Sequence, residues 1–358
     1  MSRRVLRNVD WALVLTVAAL AFLGMVAVYT ATHMPANPAR SALFAKQLTW
    51  LALGSIAFLI NALVPFRVWE EYSPILFTVA VVLLIAVPFV GVERLGAKRW
   101  LVIGGFQIQP SEIAKLAMIP FLARLLSRPR LDLGRVSHVL PAVLFALLVF
   151  VLILIEPDLG TSLSVPATLV PMLYWAGLPL GVVLILGSPL LSAMLSINLW
   201  LWLLFAVGLG LALIQSRARS TTVVAVLALN MAVGAAAPIL WNGLRPHQQE
   251  RVVSFLDPEK DRAGAGYHVI QSKIAIGSGG LSGKGYLQGT QKGLAFLPEP
   301  QTDFIFSVWG EEFGFLGCAT LLVLYALLVG RGLMLAVKAR SRFGSLMVVG
   351  ICGSIMFP

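Results

Sequence analysis

The sequence predicts an all-α polytopic membrane protein of ten or eleven transmembrane helices with one large extracellular loop. Three observations predict it. The chain is 58% hydrophobic and only 12% charged, with mean hydropathy +0.88, whereas about a quarter of the residues of a soluble domain carry charge. Apolar runs of close to twenty residues recur, the length that crosses a hydrocarbon core. The alternation of a barrel strand is absent, so a backbone in lipid must satisfy its own hydrogen bonds as helices.

Spans are expected near 11–32, 47–64, 73–91, 110–127, 137–156, 161–177, 180–196, 199–215, 220–241, 303–331 and 343–358. The first follows a basic start, Arg3, Arg4 and Arg7, and no cleavage site of small residues closes it, so it reads as a span and not a signal peptide. The two between 180 and 215 are short and interrupted at Gly187-Ser188-Pro189. They read as a hairpin or as a single irregular element. Pro110 opens its span as a first-turn proline. Cys318 and Cys352 fall in apolar runs and read as small core residues.

The net charge of +11 invites a nucleic-acid reading, but its placement argues for a membrane topology. With the N-terminus in the cytoplasm, fourteen of the 27 basic residues fall in cytoplasmic segments, among them Arg67, Arg124, Arg217, Arg331 and Arg342. The short external connections hold Arg40, Lys46, Arg94, Lys98 and Arg99. This is the positive-inside pattern. It puts 242–302, a polar island with seven basic residues, outside, where long segments cross regardless of charge. The whole chain is expected to form one transmembrane domain with that island as its extracytoplasmic loop.

Ionisable residues inside spans are costly and mark cavities or partners. Glu112 and Lys115 are three residues apart on one helical face, spaced to pair; they read either as a structural pair or as the lining of a polar cavity. Glu156 and Asp158 flank Pro157 at an external turn, and Asp158 is placed either as a turn residue or as a cap for the next helix. Glu311 and Glu312 lie about two turns into their span, roughly 12 Å deep, and at least one is expected to face an interior cavity. Gly310 and Gly314 have the small-xxx-small spacing of a close-packed helix face.

Within the island, 247–256 reads as a short amphipathic helix on the membrane interface, stopped by Asp257-Pro258. The glycines that follow, from Gly264 to Gly293, permit close backbone approach. They read either as an anion-holding stretch or as a connector. GSGGLSGKG is not a nucleotide P-loop, because Ser278 and Gly285 occupy positions that the motif reserves for Gly and for Ser or Thr. Lys273, Lys284, Lys292, Arg251 and Arg262 are each either solvated charges or phosphate partners.

GAKRW (96–100), QPSEIAK (109–115), EPDLGT (156–161), the stretch HQQERVVSFLDPEKDRAGAGYHVIQSKIAIGSGGLSGKG (247–285) and GTQKGLAFLPEPQTDFIFSVWGEEFG (289–314) together resemble the SEDS family (shape, elongation, division and sporulation), in its rod-shape branch. The resemblance implies a peptidoglycan glycosyltransferase of the cytoplasmic membrane that polymerises lipid II at the outer face for cell elongation and rod shape. It implies a class B penicillin-binding protein as crosslinking partner, and no nucleic acid. The family's essential aspartate falls on Asp257, its Glu and Lys on Glu112 and Lys115, and its turn acid on Asp158. In the expected reaction a sugar hydroxyl displaces undecaprenyl diphosphate from an anomeric carbon. Asp257 serves as general base, alone or with a divalent cation as cofactor. Lys115, Arg99, Lys273 and Lys284 are expected to support the phosphate end, and Glu112 to orient Lys115. The resemblance also implies an Asn-Ile-Gly-Met segment and a final helix that do not follow Pro358. The competing reading is a lipid II flippase, for which inverted repeats and midplane ionisable groups are expected; no convincing internal repeat is visible. A third is a scaffold that only recruits wall enzymes, which leaves the polar island unexplained.

Overall fold

The computed structural model describes residues 9–33, 38–94, 97–103, 106–128, 136–156, 158–216, 219–243, 249, 265–290 and 302–357. Asp257, Lys292, Arg251, Arg262 and nearly all of the interfacial helix expected at 247–256 lie outside the described residues.

Among the described residues, twelve helices and one small sheet follow in order: α1 (Trp11–Thr32), α2 (Pro38–Leu63), α3 (Phe66–Val90), β1 (Val92–Arg94), β2 (Ala97–Ile103), β3 (Phe106–Ile108), α4 (Pro110–Leu126), α5 (Val136–Ile155), α6 (Leu159–Ala176), α7 (Leu180–Leu195), α8 (Leu199–Gln215), α9 (Ser220–Gly243), α10 (Ala265–Ser278), α11 (Ile305–Lys338) and α12 (Arg342–Met356). Six of them have stretches long and apolar enough to cross a membrane, starting at Trp11, Ala42, Phe66, His138, Ser220 and Ile305; α7, α8 and α12 are shorter apolar helices. Their outward apolar side chains stay exposed, such as Phe22, Ile75, Phe89 and Leu204. That is the surface expected of helices solvated by lipid. The polytopic all-helical expectation holds, and the ambiguous stretch 180–215 is two helices separated by Asn198, whose side chain caps α8.

The chain divides into two compact units, Leu178–Gln271 and the remainder. In the larger unit α4 is the central element, with contacts to α3, α5, α6, α12 and β2. Its side chains are buried nearly all round, including Met118, Leu122 and Leu126. Phe77 of α3 stacks on Phe121 of α4 with centroids 4.2 Å apart, and Phe145 of α5 meets both edge-on. Gly350 of α12 lies against Ile119 and Met172, so α12 seats close to α4 and α6. Helix α1 packs on α11 through Ala27, Trp309 and Cys318, and Asp10 accepts from Arg331 at 2.8 Å at the other end of the same pair.

In the smaller unit α7, α8 and α9 pack on one another around a buried polar knot. Asn230 donates to Ser188 Oγ at 2.9 Å, Ser192 Oγ donates to the Asn230 carbonyl, and Trp202 Nε1 donates to Ser192 Oγ. Such groups hold apolar helices together where burial alone gives no preference for helix over lipid.

The three-stranded antiparallel sheet, in order β1-β2-β3, is not among the elements expected for 92–108. It pairs Glu93 with Lys98 and Leu101 with Ile108. The sequence does carry a signal for it: runs such as Trp100-Leu101-Val102-Ile103 are bounded by Leu95-Gly96 and Gly104-Gly105, the composition of two hairpins. The strands are three to seven residues long, too short to compete with the adjacent apolar runs in a hydropathy reading.

Candidate functional site

The sheet, the start of α4 and the α5–α6 turn bring three separate sequence motifs together. Helix α5 ends at Ile155, and the Glu156 amide closes one turn onto the Ile153 carbonyl. Asp158 then caps α6. Its Oδ1 accepts from the Thr161 amide at 3.2 Å, and its Oδ2 accepts from Thr161 Oγ1 at 3.0 Å. Of the alternatives for Asp158, turn or cap, the carboxylate is a cap.

The cap is also a junction. Gln109 Nε2, one residue before the first-turn proline of α4, donates to Asp158 Oδ2 at 3.3 Å. Arg99, in the middle of β2, lies 3.8 Å from the same oxygen and donates from Nε to the Glu156 carbonyl at 3.0 Å. The Asp158 and Arg99 side chains retain 14% and 25% of their accessibility, so this cluster stays open to a ligand. Glu112 and Lys115 follow on α4 as an ion pair at 3.0 Å, with Lys115 tucked in and Glu112 half exposed. Burial of the lysine gives this end of α4 a cation whose stem is held by packing.

Glu156 is the residue whose state the sequence does not reveal. Its side chain is buried, and neither carboxyl oxygen has a hydrogen-bond partner. Burial, with the neighbouring Asp158 charge adding to it and Arg99 opposing, raises its pKa to about 7.

A second polar assembly joins the glycine-rich loop 279–290 to α11. Helix α11 breaks at Gly314, whose φ of 64° and ψ of −160° are open essentially to glycine alone. The loop fills the break. Phe315 and Leu316 amides donate to the Gly280 and Leu281 carbonyls, while Lys284 and Gly285 amides donate to the Glu311 and Glu312 carbonyls. A Cβ on Gly283 would collide with the Glu312 carbonyl. The amides of Lys284 and Gly285 are thus spent on helix carbonyls, which decides that part of the glycine stretch against an anion cradle and in favour of interlocking packing. The close approach expected at Gly310 is made to the same segment, since Ile276 packs on it and Gly279 meets its carbonyl.

The side chains repeat the clasp. Lys284 Nζ lies 2.6 Å from Glu311 Oε1, which also accepts from the Thr290 amide and hydroxyl at 2.8 Å. Glu312 Oε2 accepts from the Leu287 amide at 3.1 Å. Both acids are buried, and these contacts tie them to the loop. Lys273 lies exposed on α10. Among the described residues no three His, Cys, Asp or Glu side chains gather to hold a metal ion, and Asp257, the residue expected to use one, is outside them.

The cell cycle protein family model FtsW/RodA/SpoVE matches residues 10–207 and 193–358. The chain belongs to the FtsW/RodA/SpoVE family. It is similar to the peptidoglycan glycosyltransferase MrdB of Escherichia coli K12, with 38% identity over 86% of this chain and 71% of that protein. It is also similar to the peptidoglycan glycosyltransferase RodA of Treponema pallidum, with 33% identity over all of this chain and 89% of that one. Among solved structures it matches a chain of a peptidoglycan synthase complex studied for the coordination of polymerization and crosslinking. There the TM-score is 0.68 and the identity 30%, over 97% of this chain and 84% of that one. It matches the rod shape determining protein RodA of Thermus thermophilus with a TM-score of 0.58 and 28% identity, over 97% and 81%.

Proposed function

We propose that this chain is the peptidoglycan glycosyltransferase of its branch of the family, polymerising lipid II into glycan strands at the outer face of the cytoplasmic membrane for cell elongation and rod shape. The observation that carries the reading is the convergence of Arg99, Gln109 and Asp158 beside the Glu112–Lys115 pair. Three motifs distant in sequence meet there in one accessible polar cluster, in a chain whose relatives are peptidoglycan glycosyltransferases.

The chemistry needs little beyond what these residues offer. Diphosphate is a good leaving group, so no general acid is required at the donor. Arg99 and Lys115 stabilise the negative charge that develops on it. Asp158 holds Arg99, and Glu112 orients Lys115. Asp257 accepts the proton of the attacking sugar hydroxyl. A divalent cation at Asp257 would assist by polarising that hydroxyl. Lys284 supports the site through Glu311, by holding the 279–290 loop to α11, and Lys273, exposed on α10, meets a lipid phosphate. The island 242–302 faces outward as one extracytoplasmic loop of a single membrane domain, with the N-terminus in the cytoplasm. A class B penicillin-binding protein crosslinks the product, in line with the synthase complex that this chain resembles.

The test is reconstitution with that partner and lipid II. Wild-type protein is expected to make glycan strands and Asp257→Ala to make none. Movement of lipid II across vesicles with no strand formed would establish the flippase instead, and full activity of Asp257→Ala would remove that residue from the chemistry.

A further inference from the structure

Helix α6 runs from the Asp158 cap to Ala176 in 18 residues, about 27 Å of rise, close to the thickness of a hydrocarbon core. Its far end therefore lies at the membrane face opposite the Arg99–Asp158 junction. There the last turn of α6, the end of α11 and the start of α12 enclose a cavity of about 420 Å³, within the range of small-ligand pockets, roughly 300–1,000 Å³. Trp175, Ser345 and Arg342 line it, and Val337 forms an apolar wall. Side-chain bonds hold the three helices around it. Trp175 Nε1 donates to Ser345 Oγ at 2.8 Å, and that hydroxyl donates to the Ala336 carbonyl at 2.7 Å. Arg342 Nη2 donates to the Ala176 carbonyl at 2.8 Å, which satisfies a carbonyl in the last turn of α6.

Positive charge at this end is not balanced. Arg331, two turns earlier on α11, is taken by Asp10 at 2.8 Å. Lys338 at the end of α11, Arg340 in the connection and Arg342 on α12 are exposed. Among the described residues no carboxylate lies within ion-pair distance of these three, and none of the residues lining the cavity is an acid. The Ala176 carbonyl takes one nitrogen of a guanidinium that has five N–H donors, so Arg342 keeps donors for an anion. Two features point to an anion carried by a lipid. Val337 is 71% exposed, which makes the cavity wall continuous with the apolar surface that meets acyl chains. Tyr174, 55% exposed beside Trp175, stands where the aromatic belt marks the headgroup level.

We propose that this cavity binds the phosphate headgroup of an anionic phospholipid. Arg342 donates to the phosphate, Lys338 and Arg340 add positive potential from between the lining residues, and an acyl chain lies on Val337. Basic pockets between membrane helices hold such headgroups, and an anionic leaflet attracts basic segments that end at its surface. The outward placement of the Arg99–Asp158 junction under the proposed function puts this lipid in the inner leaflet; binding itself does not depend on the polymerase reading.

The experiment titrates the full chain in neutral detergent with phosphatidylglycerol, phosphatidylcholine and inorganic phosphate, and counts bound lipid by native mass spectrometry. Phosphatidylglycerol is expected to fill a saturable site, and phosphatidylcholine to bind more weakly. Lys338→Gln combined with Arg340→Gln leaves the Arg342–Ala176 bond in place. It is expected to weaken phosphatidylglycerol binding on the order of 25-fold, about fivefold for each cation lost near an anionic headgroup. Arg342→Gln, which retains a donor for the Ala176 carbonyl, is expected to weaken it at least about fivefold. Arg67→Gln removes a charge from the start of α3, the end remote from the sheet and outside the cavity lining, and is expected to leave the affinity unchanged. Equal affinity for the two lipids would overturn the proposal. A loss in Arg67→Gln as large as in Arg342→Gln would replace the site with diffuse surface attraction. Displacement of the lipid by inorganic phosphate at the same concentration would make the occupant a soluble anion. The readout is lipid bound and not glycan made, so failure of the polymerase reading would appear in strand synthesis alone.

Discussion

Replacing Lys284 with methionine takes a cation away from the buried Glu311 carboxylate. Glu311 is fully buried, the Lys284 side chain is 29% accessible, and the two meet at 2.6 Å. Removing one partner of a buried pair costs about 3–5 kcal/mol, most of it the penalty of the stranded charge. Two Thr290 donors stay on the same oxygen and the lysine is partly hydrated, so the loss belongs at the low end, about 3 kcal/mol. At about 2–4 °C per kcal/mol in domains of 150–250 residues, that is a fall on the order of 6 °C in thermal midpoint. Glu311→Gln keeps an acceptor for Thr290 and strands only a lysine that reaches water, which costs about 1 kcal/mol. In the double variant the acid at 311 is neutral as well, and most of the single Lys284→Met loss is expected to return. The assay is thermal unfolding of the four proteins in one detergent, read as a double-mutant cycle. A Lys284→Met midpoint no lower than that of Glu311→Gln, or a double variant as unstable as Lys284→Met, would refute the stranded-charge argument.

Asp158→Asn keeps a cap for α6 but removes the charge facing Arg99. Stability is expected to change by less than about 1 kcal/mol, while glycan synthesis falls at least tenfold; equal loss in both assays would mean that the residue is only a cap. Gly314→Ala places a Cβ against the Gly283 amide and the Leu281 carbonyl at a backbone conformation that only glycine holds. It is expected to cost more than about 3 kcal/mol, from roughly 1–3 of backbone strain plus the collision, visible as loss of folded protein in size-exclusion chromatography of the solubilised membrane.

What is legible in the sequence follows from the range over which each interaction acts. Apolar length and basic-residue placement are local, and the spans expected at 180–196 and 199–215 lie within a residue of α7 and α8. The Glu112–Lys115 pair is set by helix spacing alone and is present at 3.0 Å. The Arg99–Asp158–Gln109 junction joins a strand, a helix start and a turn that are far apart along the chain. Composition offers no route to it; the family motifs name two of its members, and Gln109 stands in plain view in QPSEIAK. Lys284 reads as a phosphate candidate because a lysine among glycines resembles an anion site, and nothing local reveals that an acid 27 residues on takes it. The break at Gly314 is hidden by the same small-xxx-small spacing that suggests an unbroken packing face. Glu156 is invisible for a different reason: its significance is the absence of a bond, which only burial in three dimensions exposes.

That absence has a thermodynamic consequence independent of catalysis. Glu156 sits just past the end of α5, and its pKa in the folded chain is raised from an ordinary 4.5 to about 7. Below pH 4.5 both folded and unfolded chains hold the proton, and the residue costs nothing through ionisation. Between 4.5 and about 7 the unfolded chain releases the proton and the folded chain keeps it, so stability falls as pH rises; above about 7 both are ionised and the penalty is complete. At about 1.36 kcal/mol for each factor of ten in proton affinity, the full penalty is about 3 kcal/mol. Glu156→Gln has no proton to lose and escapes it. The variant is therefore expected to match wild type near pH 4.5 and to exceed it by up to about 3 kcal/mol above pH 7, a divergence that thermal midpoints across that range would trace. Parallel curves would mean that the buried carboxyl finds a compensating partner and titrates normally. A variant less stable than wild type at high pH would mean that the carboxylate itself is bonded in the fold, so that ionisation stabilises the chain where burial alone would destabilise it.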